Sequence, residues 1–359
     1  MPLKIVHCAD LHIGAPFHDL PGEKAAIRRL DVYDSFTSLI EFASEKKADM
    51  LLICGDLFDS PHPSHEDLEF VKKALAKIIE IPVYIVCGNH DYMCVDSVFF
   101  SAANFPPNVH IFPCNEHSFF LPEKNAVIWG KSYSSPTIQP SFEGLNAAEG
   151  KYNIMCLHGD ITSGSDYNIS TSQILSQFGA DYCAFGHIHS FEKFSAGKTP
   201  CSYCGTPEGH GFDDCNKTGF VYAEISENGV DVKNISFTRR NYVKLGFDIT
   251  ELSTNIEIIE GLRKLINNKD LYRIQLLGTV SADSPVSASH IESALSSEAF
   301  YVKVSNLTTL GEDISQLLNE KSVRGDFLRN LKELCSSQEE FELAAKIGLN
   351  ALSGIKTEV

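Results

Sequence analysis

With 359 residues, the chain is longer than one ordinary compact domain, and we expect two or three domains. No apolar stretch approaches the roughly 20 residues of a membrane helix and the N-terminus does not resemble a signal peptide, so we expect a cytoplasmic protein with no membrane segment. The net charge of −17 disfavours tight, unaided binding to nucleic acid, although it leaves room for a local basic groove.

The N-terminal part of the chain predicts alternating strands and helices. Helices are expected at 24–46 and 64–80, and the apolar runs around them read as strands: LKIVHCAD, DMLLICGD and PVYIVCGN. Because these runs are continuously apolar rather than alternating, the strands should be covered on both faces, and their connections should be right-handed crossovers.

After residue 108 the pattern changes to short strands, which are VHIF, HSFFL, AVIWG, YNIMCLHG and DYCAFG. Further on, TGFVYAEI and VDVKNISF flank Asn228-Gly229, a strong signal for a hairpin turn. Two sheets packed together and flanked by helices would account for this part of the chain.

A new pattern begins near residue 242. Residues 242–306 read as strand, helix (255–267), strand (271–280), helix (287–295) and strand (300–304), a small α+β module. An amphipathic helix follows at 322–335, then a helix opened by the capping pair Ser337 and Glu340 and closed by Ser353-Gly354. We therefore expect domains at 1–240 and 241–308, followed by a C-terminal helical segment at 309–359.

Five predicted strands in succession are followed directly by Asp, His or Asn. Ligands bind at the carboxyl ends of strands in α/β sheets, so these side chains should converge on one place. The candidate ligands are Asp10, His12, Asp56, Asn89, His158, His187 and His189.

Seven ligands are too many for one metal ion, whereas two ions that share a carboxylate would take four each. The mixed nitrogen and oxygen ligands suit Mn²⁺, Fe²⁺ or Zn²⁺, and the lack of thiolates weakens the case for zinc. Two such ions roughly 3.5–4 Å apart are the arrangement that hydrolyses phosphoesters.

The motif order D-x-H, G-D-x-x-D, G-N-H-D, H-G-D and G-H-x-H resembles that of the calcineurin-like metallophosphoesterases. The flanking stretches HCADLHIGAPF, GDLFD, YCGTPEGHGFDD and KTGFVYAEI resemble the SbcD/YhaO group of DNA-repair exonucleases. The resemblance covers residues 1–240. It implies an α+β fold, a four-layer α/β/β/α sandwich of two mixed sheets, with a small α+β capping domain that guides DNA and with C-terminal helices.

The resemblance also implies roles for the residues of the motifs. His90 would stay free of metal and act as general acid or transition-state stabiliser, and Asp59 would pair with it. The first metal would take Asp10, His12, Asp56 and His189, and the second would take Asp56, Asn89, His158 and His187. His187 and His189 in AFGHIHSF could bind one metal, serve two metals or lie on the surface; given a bridging carboxylate, we expect one histidine on each metal.

We therefore expect a DNA exonuclease with two divalent metal ions, preferably Mn²⁺, that uses a metal-activated water. The alternative is a small-molecule or nucleotide phosphodiesterase on the same scaffold. Expected partners are DNA and an SbcC-like coiled-coil ATPase docked on the C-terminal helices, which could instead pack on their own chain. The apolar stretch SVFFSAANF at 97–105 could pair two copies in a homodimer or belong to the core.

Overall fold

The computed structural model describes residues 2–101, 104–162, 164–215, 218–280, 286–310 and 314–352. The chain divides into two compact units, Met1–Asn241 and Tyr242–Val359. The helices of the first unit are α1 Gly22–Lys46, α2 His65–Ala76 and α3 Ser172–Phe178. Its strands are β1 Leu3–Cys8, β2 Met50–Cys54, β3 Val83–Val86, β4 Val109–Ile111, β5 His117–Leu121, β6 Ala126–Gly130, β7 Tyr152–His158, β8 Tyr182–Gly186, β9 Glu192–Ala196, β10 Thr199–Tyr203, β11 Phe220–Ser226 and β12 Gly229–Ile235.

The first sheet has the strand order β12-β11-β1-β2-β3-β4. Strands β1 to β4 are parallel, whereas β11 is antiparallel to β1 and β12 is antiparallel to β11. Alternate residues of β2 face opposite layers: Leu51 and Ile53 pack in the cluster that contains α1 and α2, and Leu52 packs between the two sheets. Both faces are therefore buried, which explains why the strands are continuously apolar.

The second sheet has the order β5-β6-β7-β8-β10-β9 and is also mixed. One face shares the central cluster with the first sheet, through Ile154 and Ala184 among others. The opposite face packs against α3, with Leu175 and Phe178 in that cluster. The layers are helices, sheet, sheet and helix, so the predicted four-layer α/β/β/α sandwich of two mixed sheets is confirmed.

Several elements differ from the sequence prediction. The hairpin β9–β10 and helix α3 were not predicted, because β9 is an edge strand with exposed polar side chains and α3 is short. Helix α2 ends at Ala76 rather than at residue 80. There the Asn108 side chain donates to the carbonyl oxygens of Ile78 (3.1 Å) and Ile81 (2.8 Å), which satisfies backbone acceptors beyond the helix end.

The stretch at 97–105 belongs largely to the core. Phe99 and Phe105 lie in the cluster beneath the first sheet, whereas Phe100 is exposed. The prediction also covered residues 102 and 103, which lie outside the described residues.

In the second unit the helices are α4 Asn255–Arg263, α5 Ala288–Leu295, α6 Ile314–Leu317, α7 Val323–Leu334 and α8 Gln338–Leu352. The strands are β13 Tyr242–Asp248, β14 Leu271–Leu277, β15 Thr279–Val280, β16 Tyr301–Asn306 and β17 Thr309–Leu310. Strands β13, β14 and β16 form a parallel sheet in that order, and α4 and α5 cover one of its faces. The strand predicted at 271–280 is interrupted at Gly278, whose φ of 97° is a conformation that glycine tolerates.

The C-terminal helices pack on each other through Leu328 of α7 and Phe341 and Leu349 of α8. Ser337 accepts the Glu340 N–H before α8, as its position predicts, whereas the predicted stop at Ser353-Gly354 lies outside the described residues. None of the helices in the described part of the chain combines the length and apolar character that a membrane span needs.

Candidate metal centre

The predicted ligands come together at the carboxyl ends of β1, β2, β3, β7 and β8. The ligand atoms of Asp10, His12 and His189 lie within 4.8 Å of one another, and so do those of Asp10, Asp56 and His158. Parallel strands deliver their last residues to the same edge of a sheet, and the two sheets face each other at this edge.

A first donor group surrounds His12. Its Nε2 atom lies 3.3 Å from His189 Nε2 and 3.8 Å from Asp56 Oδ2. Asp10 completes this group, and we call Asp10, His12, Asp56 and His189 the first donor group.

A second donor group surrounds Asn89. Its Oδ1 atom lies 2.9 Å from His158 Nε2 and 3.1 Å from His187 Nδ1. His158 Nε2 is in turn 3.4 Å from Asp56 Oδ2. We call Asp56, Asn89, His158 and His187 the second donor group; Asp56 Oδ2 thus faces both groups.

His187 and His189 point to different groups because the chain is not extended between them. His187 has a φ of 91°, which turns the backbone just past β8. Ile188 between them packs against the cluster around α3. Residues i and i+2 share a face only along extended backbone, so the turn at His187 lets the two rings face different groups.

His90 and Asp59 lie beside the first donor group. The His90 side chain is 47% exposed, and its Nδ1 atom is 3.7 Å from Asp59 Oδ1. The same carboxylate oxygen lies closer to His12 Nδ1, at 3.2 Å, so Asp59 faces the Nδ1 atoms of both histidines. The ligand atoms of His12, Asp56 and His90 also lie within 4.8 Å of one another, so the geometry alone admits His90 as a metal ligand.

Polar groups behind the site fix the orientation of the imidazoles. His158 Nδ1 lies 2.8 Å from the Cys54 carbonyl oxygen and His189 Nδ1 lies 2.9 Å from Asp214 Oδ1, so each ring donates from Nδ1 and presents Nε2 to its donor group. The sequence predicted no role for Asp214. It closes the stretch YCGTPEGHGFDD, but it follows no apolar strand and belongs to none of the five motifs.

Asp91 ties two of the ligand-bearing loops together. Its buried carboxylate accepts the backbone N–H groups of Asp56 (3.2 Å), Phe58 (3.2 Å) and Gly88 (2.7 Å). Burial raises the pKa of Asp91 to about 7, and the nearby Asp56 charge acts in the same direction.

The backbone is held in unfavourable conformations at this centre. Residues other than glycine rarely adopt positive φ, and each instance costs on the order of 1–3 kcal/mol. Such strained residues cluster at functional sites. Four candidate ligands have positive φ, namely Asp10, His12, Asp56 and His187.

The glycines of the motifs leave room for the ligands. A Cβ on Gly88 would overlap the Asp56 carboxylate, and a Cβ on Gly55 would overlap the His158 ring. Glycine is therefore required at positions 55 and 88, because a Cβ at either position would overlap the side chain of a candidate ligand.

The electrostatics of the centre favour a cation. Burial opposes ionisation of Asp56, but the imidazoles of His158 and His12 outweigh it and hold the pKa of Asp56 below its usual range. Burial likewise lowers the pKa of His189, but Asp214 and Asp10 raise it to about 9. Divalent cations fit these residues, because nitrogen and oxygen donors are pre-oriented around a buried carboxylate that both groups share.

Comparisons with known proteins agree with this geometry. The family model for calcineurin-like phosphoesterase matches residues 3–191. The chain is 29% identical over 267 residues to the uncharacterized metallophosphoesterase YhaO of Bacillus subtilis, an alignment that covers 69% of this chain and 64% of that protein.

The chain is also similar to DNA double-strand break repair proteins named Mre11. Identity is 21% over 313 residues with the Aeropyrum pernix protein, covering 80% of this chain and 75% of the relative. It is 30% over 258 residues with the Methanocaldococcus jannaschii protein, covering 65% of each. The chain therefore belongs to the calcineurin-like phosphoesterase family, and its matches span about two thirds of the YhaO and Methanocaldococcus jannaschii relatives.

Proposed function

We propose that the chain is a DNA exonuclease that hydrolyses phosphodiester bonds with two divalent metal ions, preferably Mn²⁺. The observation that carries this proposal is the position of Asp56 Oδ2, which lies 3.8 Å from His12 Nε2 in one donor group and 3.4 Å from His158 Nε2 in the other. One carboxylate oxygen shared by two sets of donors is the arrangement that a bridged pair of ions needs.

In this proposal the first donor group holds one ion and the second donor group holds the other. When bound, the two ions activate the attacking water and neutralise charge on the phosphoryl oxygens. The protein keeps the rings of His158 and His189 in the tautomer that presents Nε2, through the Cys54 carbonyl and Asp214.

His90 is proposed to hold the proton that the leaving oxygen receives. Its Nδ1 atom faces Asp59, so Nε2 is the ring nitrogen left for the substrate, and the ring is half-exposed at the edge of the site. The His90 N–H donates to Asp56 Oδ1 at 2.9 Å, which fixes the backbone of His90 relative to the shared carboxylate. Asp59 would face the ring from its Nδ1 side, where its Oδ1 atom lies 3.7 Å away.

Two observations support DNA as the substrate. The relatives include DNA double-strand break repair proteins. In the second unit, Lys244, Arg273 and Lys303 lie side by side across β13, β14 and β16, and all three are exposed. Lys303 Nζ also pairs with Glu292 Oε1 at 3.4 Å, and the three exposed cations form a row along which an anionic backbone can lie.

The alternative, a small-molecule or nucleotide phosphodiesterase, is favoured by the net charge of −17. A small anionic substrate needs fewer basic contacts than a polyanion. An ATPase of the SbcC type that supplies basic surface would reconcile this charge with DNA. The C-terminal helices suit such a partner, because Val323 and Leu334 at the ends of α7 are 75% and 79% exposed.

We propose a cytoplasmic location as well. The eleven cysteines all lie in the described part of the chain and are free thiols, which fits a reducing compartment.

Incubation with end-labelled duplex DNA, single-stranded DNA and a generic aryl phosphodiester tests the proposed function. We expect Mn²⁺-dependent release of mononucleotides from a DNA end and no release in EDTA. Cleavage of the aryl ester alone, even with a cognate ATPase present, would contradict the nuclease assignment and support the small-molecule alternative.

A further inference from the structure

The loop at residues 205–214 contacts the first donor group at three points. The Thr206 N–H donates to the His189 carbonyl oxygen at 3.1 Å, and Thr206 Oγ1 donates to the Asp10 carbonyl oxygen at 2.7 Å. Asp214, at the other end of the loop, accepts a hydrogen bond from His189 Nδ1 at 2.9 Å. In the described part of the chain, Thr206, Glu208 and Asp214 make no hydrogen bond to Asn89, His158 or His187. The link to the second donor group is indirect, through the His187 N–H, which lies 3.0 Å from both carboxylate oxygens of Asp10.

The middle of the loop is fixed by Glu208, which is only 2% exposed. One carboxylate oxygen, Oε1, accepts from Arg28 Nη1 at 2.6 Å and from the Arg240 N–H at 3.2 Å. The other, Oε2, accepts from Ser35 Oγ and from the Arg239 N–H, both at 2.8 Å. Glu208 thus joins the loop to α1 and to the last residues of the first unit.

The neighbours of Glu208 complete the attachment. Arg28 is fully buried, and its Nη2 donates to the Gly209 carbonyl oxygen at 2.7 Å. Asp31 Oδ2 accepts from both Arg28 Nη1 (2.8 Å) and Arg240 Nε (2.9 Å). A buried charge is stable only when it is paired and hydrogen-bonded, and this network meets that requirement for Glu208.

A carboxylate is the side chain that this position requires. Both oxygens accept a backbone N–H, and a glutamine of the same shape can accept at only one of them, because its NH₂ group would face the N–H of Arg239 or Arg240. An apolar side chain would fill the volume but leave the guanidinium of Arg28 and two backbone donors with fewer acceptors.

We infer that Glu208 is a positioning residue for the first donor group, acting through Thr206 and Asp214 on Asp10 and His189. It also connects the chain segment that leads to the second unit with one half of the metal centre. This inference rests on the proposed two-metal centre, and it requires that loss of Glu208 affect the two metals unequally.

Mn²⁺ binding to the full chain tests the inference, measured by calorimetry and by the electron paramagnetic resonance signal of free Mn²⁺. We expect Glu208→Gln to weaken one of two sites about 10- to 100-fold, as loss of a group that supports a ligand does, and to leave the other within about threefold. The control is Asn108→Ala, which removes two buried hydrogen bonds at the far end of α2 and should lower the thermal unfolding temperature while keeping both affinities.

Two further variants identify the affected site. His189→Ala should remove the first site and His187→Ala the second. Glu208→Gln should then weaken the remaining site in the His187→Ala background and leave it unchanged in the His189→Ala background. If Glu208→Gln weakens both sites equally, or neither, the inference is wrong. A wild-type chain that binds fewer than two Mn²⁺ ions would instead overturn the proposed centre on which the inference rests.

Discussion

His189 and Asp214 form a hydrogen bond of 2.9 Å between Nδ1 and Oδ1, although 25 residues separate them in the chain. The second oxygen of Asp214 accepts the His210 N–H at 2.7 Å, so the carboxylate is fixed by its own loop. The ring of His189 is therefore held with Nε2 toward His12 before any metal binds, which lowers the entropic cost of binding.

Asp214→Asn should weaken Mn²⁺ binding at the first donor group by about 10- to 100-fold, because the amide NH₂ would face either His189 Nδ1–H or the His210 N–H. Calorimetric titration of the variant against wild type measures the change. Asp96→Asn, at an exposed position, is the control for the loss of one acidic charge. Equal affinities for wild type and Asp214→Asn would show that Asp214 does not orient the ligand.

Most residues of the candidate centre could be located from the sequence, because they follow apolar strands directly. A strand end is recognisable from a single sequence, and parallel strands bring their ends together, as Asp10, Asp56 and Asn89 show. The supporting residues carry no such signal. Asp214 and Glu208 lie in an irregular loop whose path depends on contacts with α1 and with His189, and those contacts do not exist until the chain has folded.

The missed elements have a similar explanation. Strand β9 lies at the edge of the second sheet and carries exposed Glu192 and Lys193, so it lacks the apolar run that marks a buried strand. The segment after α2 is held by Asn108, which lies in a later strand region and donates to the Ile78 and Ile81 carbonyl oxygens. Local pattern carries no information about a contact with so distant a side chain.

Gly88→Ala should impair metal binding, although the substitution adds only one methyl group. The new Cβ would overlap the Asp56 carboxylate and backbone nitrogen, so the shared ligand must move. Overpacking of this kind costs about 1–3 kcal/mol, and we expect both sites to lose affinity because both use Asp56. Gly22→Ala is the control, since nothing lies within 4 Å of a Cβ there. Loss of only one site would argue against Asp56 as the shared ligand.

His90→Ala should retain two bound Mn²⁺ ions and lose about 10²- to 10⁴-fold in turnover, because the variant lacks the proposed acid but keeps both donor groups. Metal content after dialysis, measured by mass spectrometry, is compared with the rate on end-labelled DNA. A variant that binds one ion instead would identify His90 as a ligand, as its proximity to His12 and Asp56 also permits.

Arg273→Gln should weaken DNA binding and reduce its salt dependence, because Arg273, on β14, is the central member of the basic row that runs across β13, β14 and β16. Loss of one phosphate contact lowers the slope of log affinity against log salt by about 1. The control is Lys233→Gln, which removes an exposed charge from β12 in the first unit. Identical salt slopes for wild type and Arg273→Gln, measured by fluorescence anisotropy in EDTA, would exclude the row as a DNA contact.

His7 should make the first unit less stable in mild acid. The ring is fully buried between the Tyr182 hydroxyl (3.0 Å) and the Phe185 carbonyl oxygen (3.1 Å), and burial lowers the pKa of His7 to about 3. An unfolded histidine titrates near 6.5. Below that pH the unfolded chain therefore binds a proton that the folded chain does not. The free energy of unfolding then falls by about 1.4 kcal/mol per pH unit as the pH decreases toward 3.

His7→Gln should therefore flatten the pH dependence of the urea midpoint between pH 6.5 and pH 5, even though it lowers the midpoint at pH 7. EDTA is present throughout, so that release of metal does not contribute to the slope. His18→Gln, at an exposed histidine, controls for removal of one imidazole from the chain. The unfolded chain of the variant has lost the proton-binding group on which the wild-type slope depends. If His7→Gln nevertheless leaves the slope unchanged, the buried ring is not the group that resists protonation.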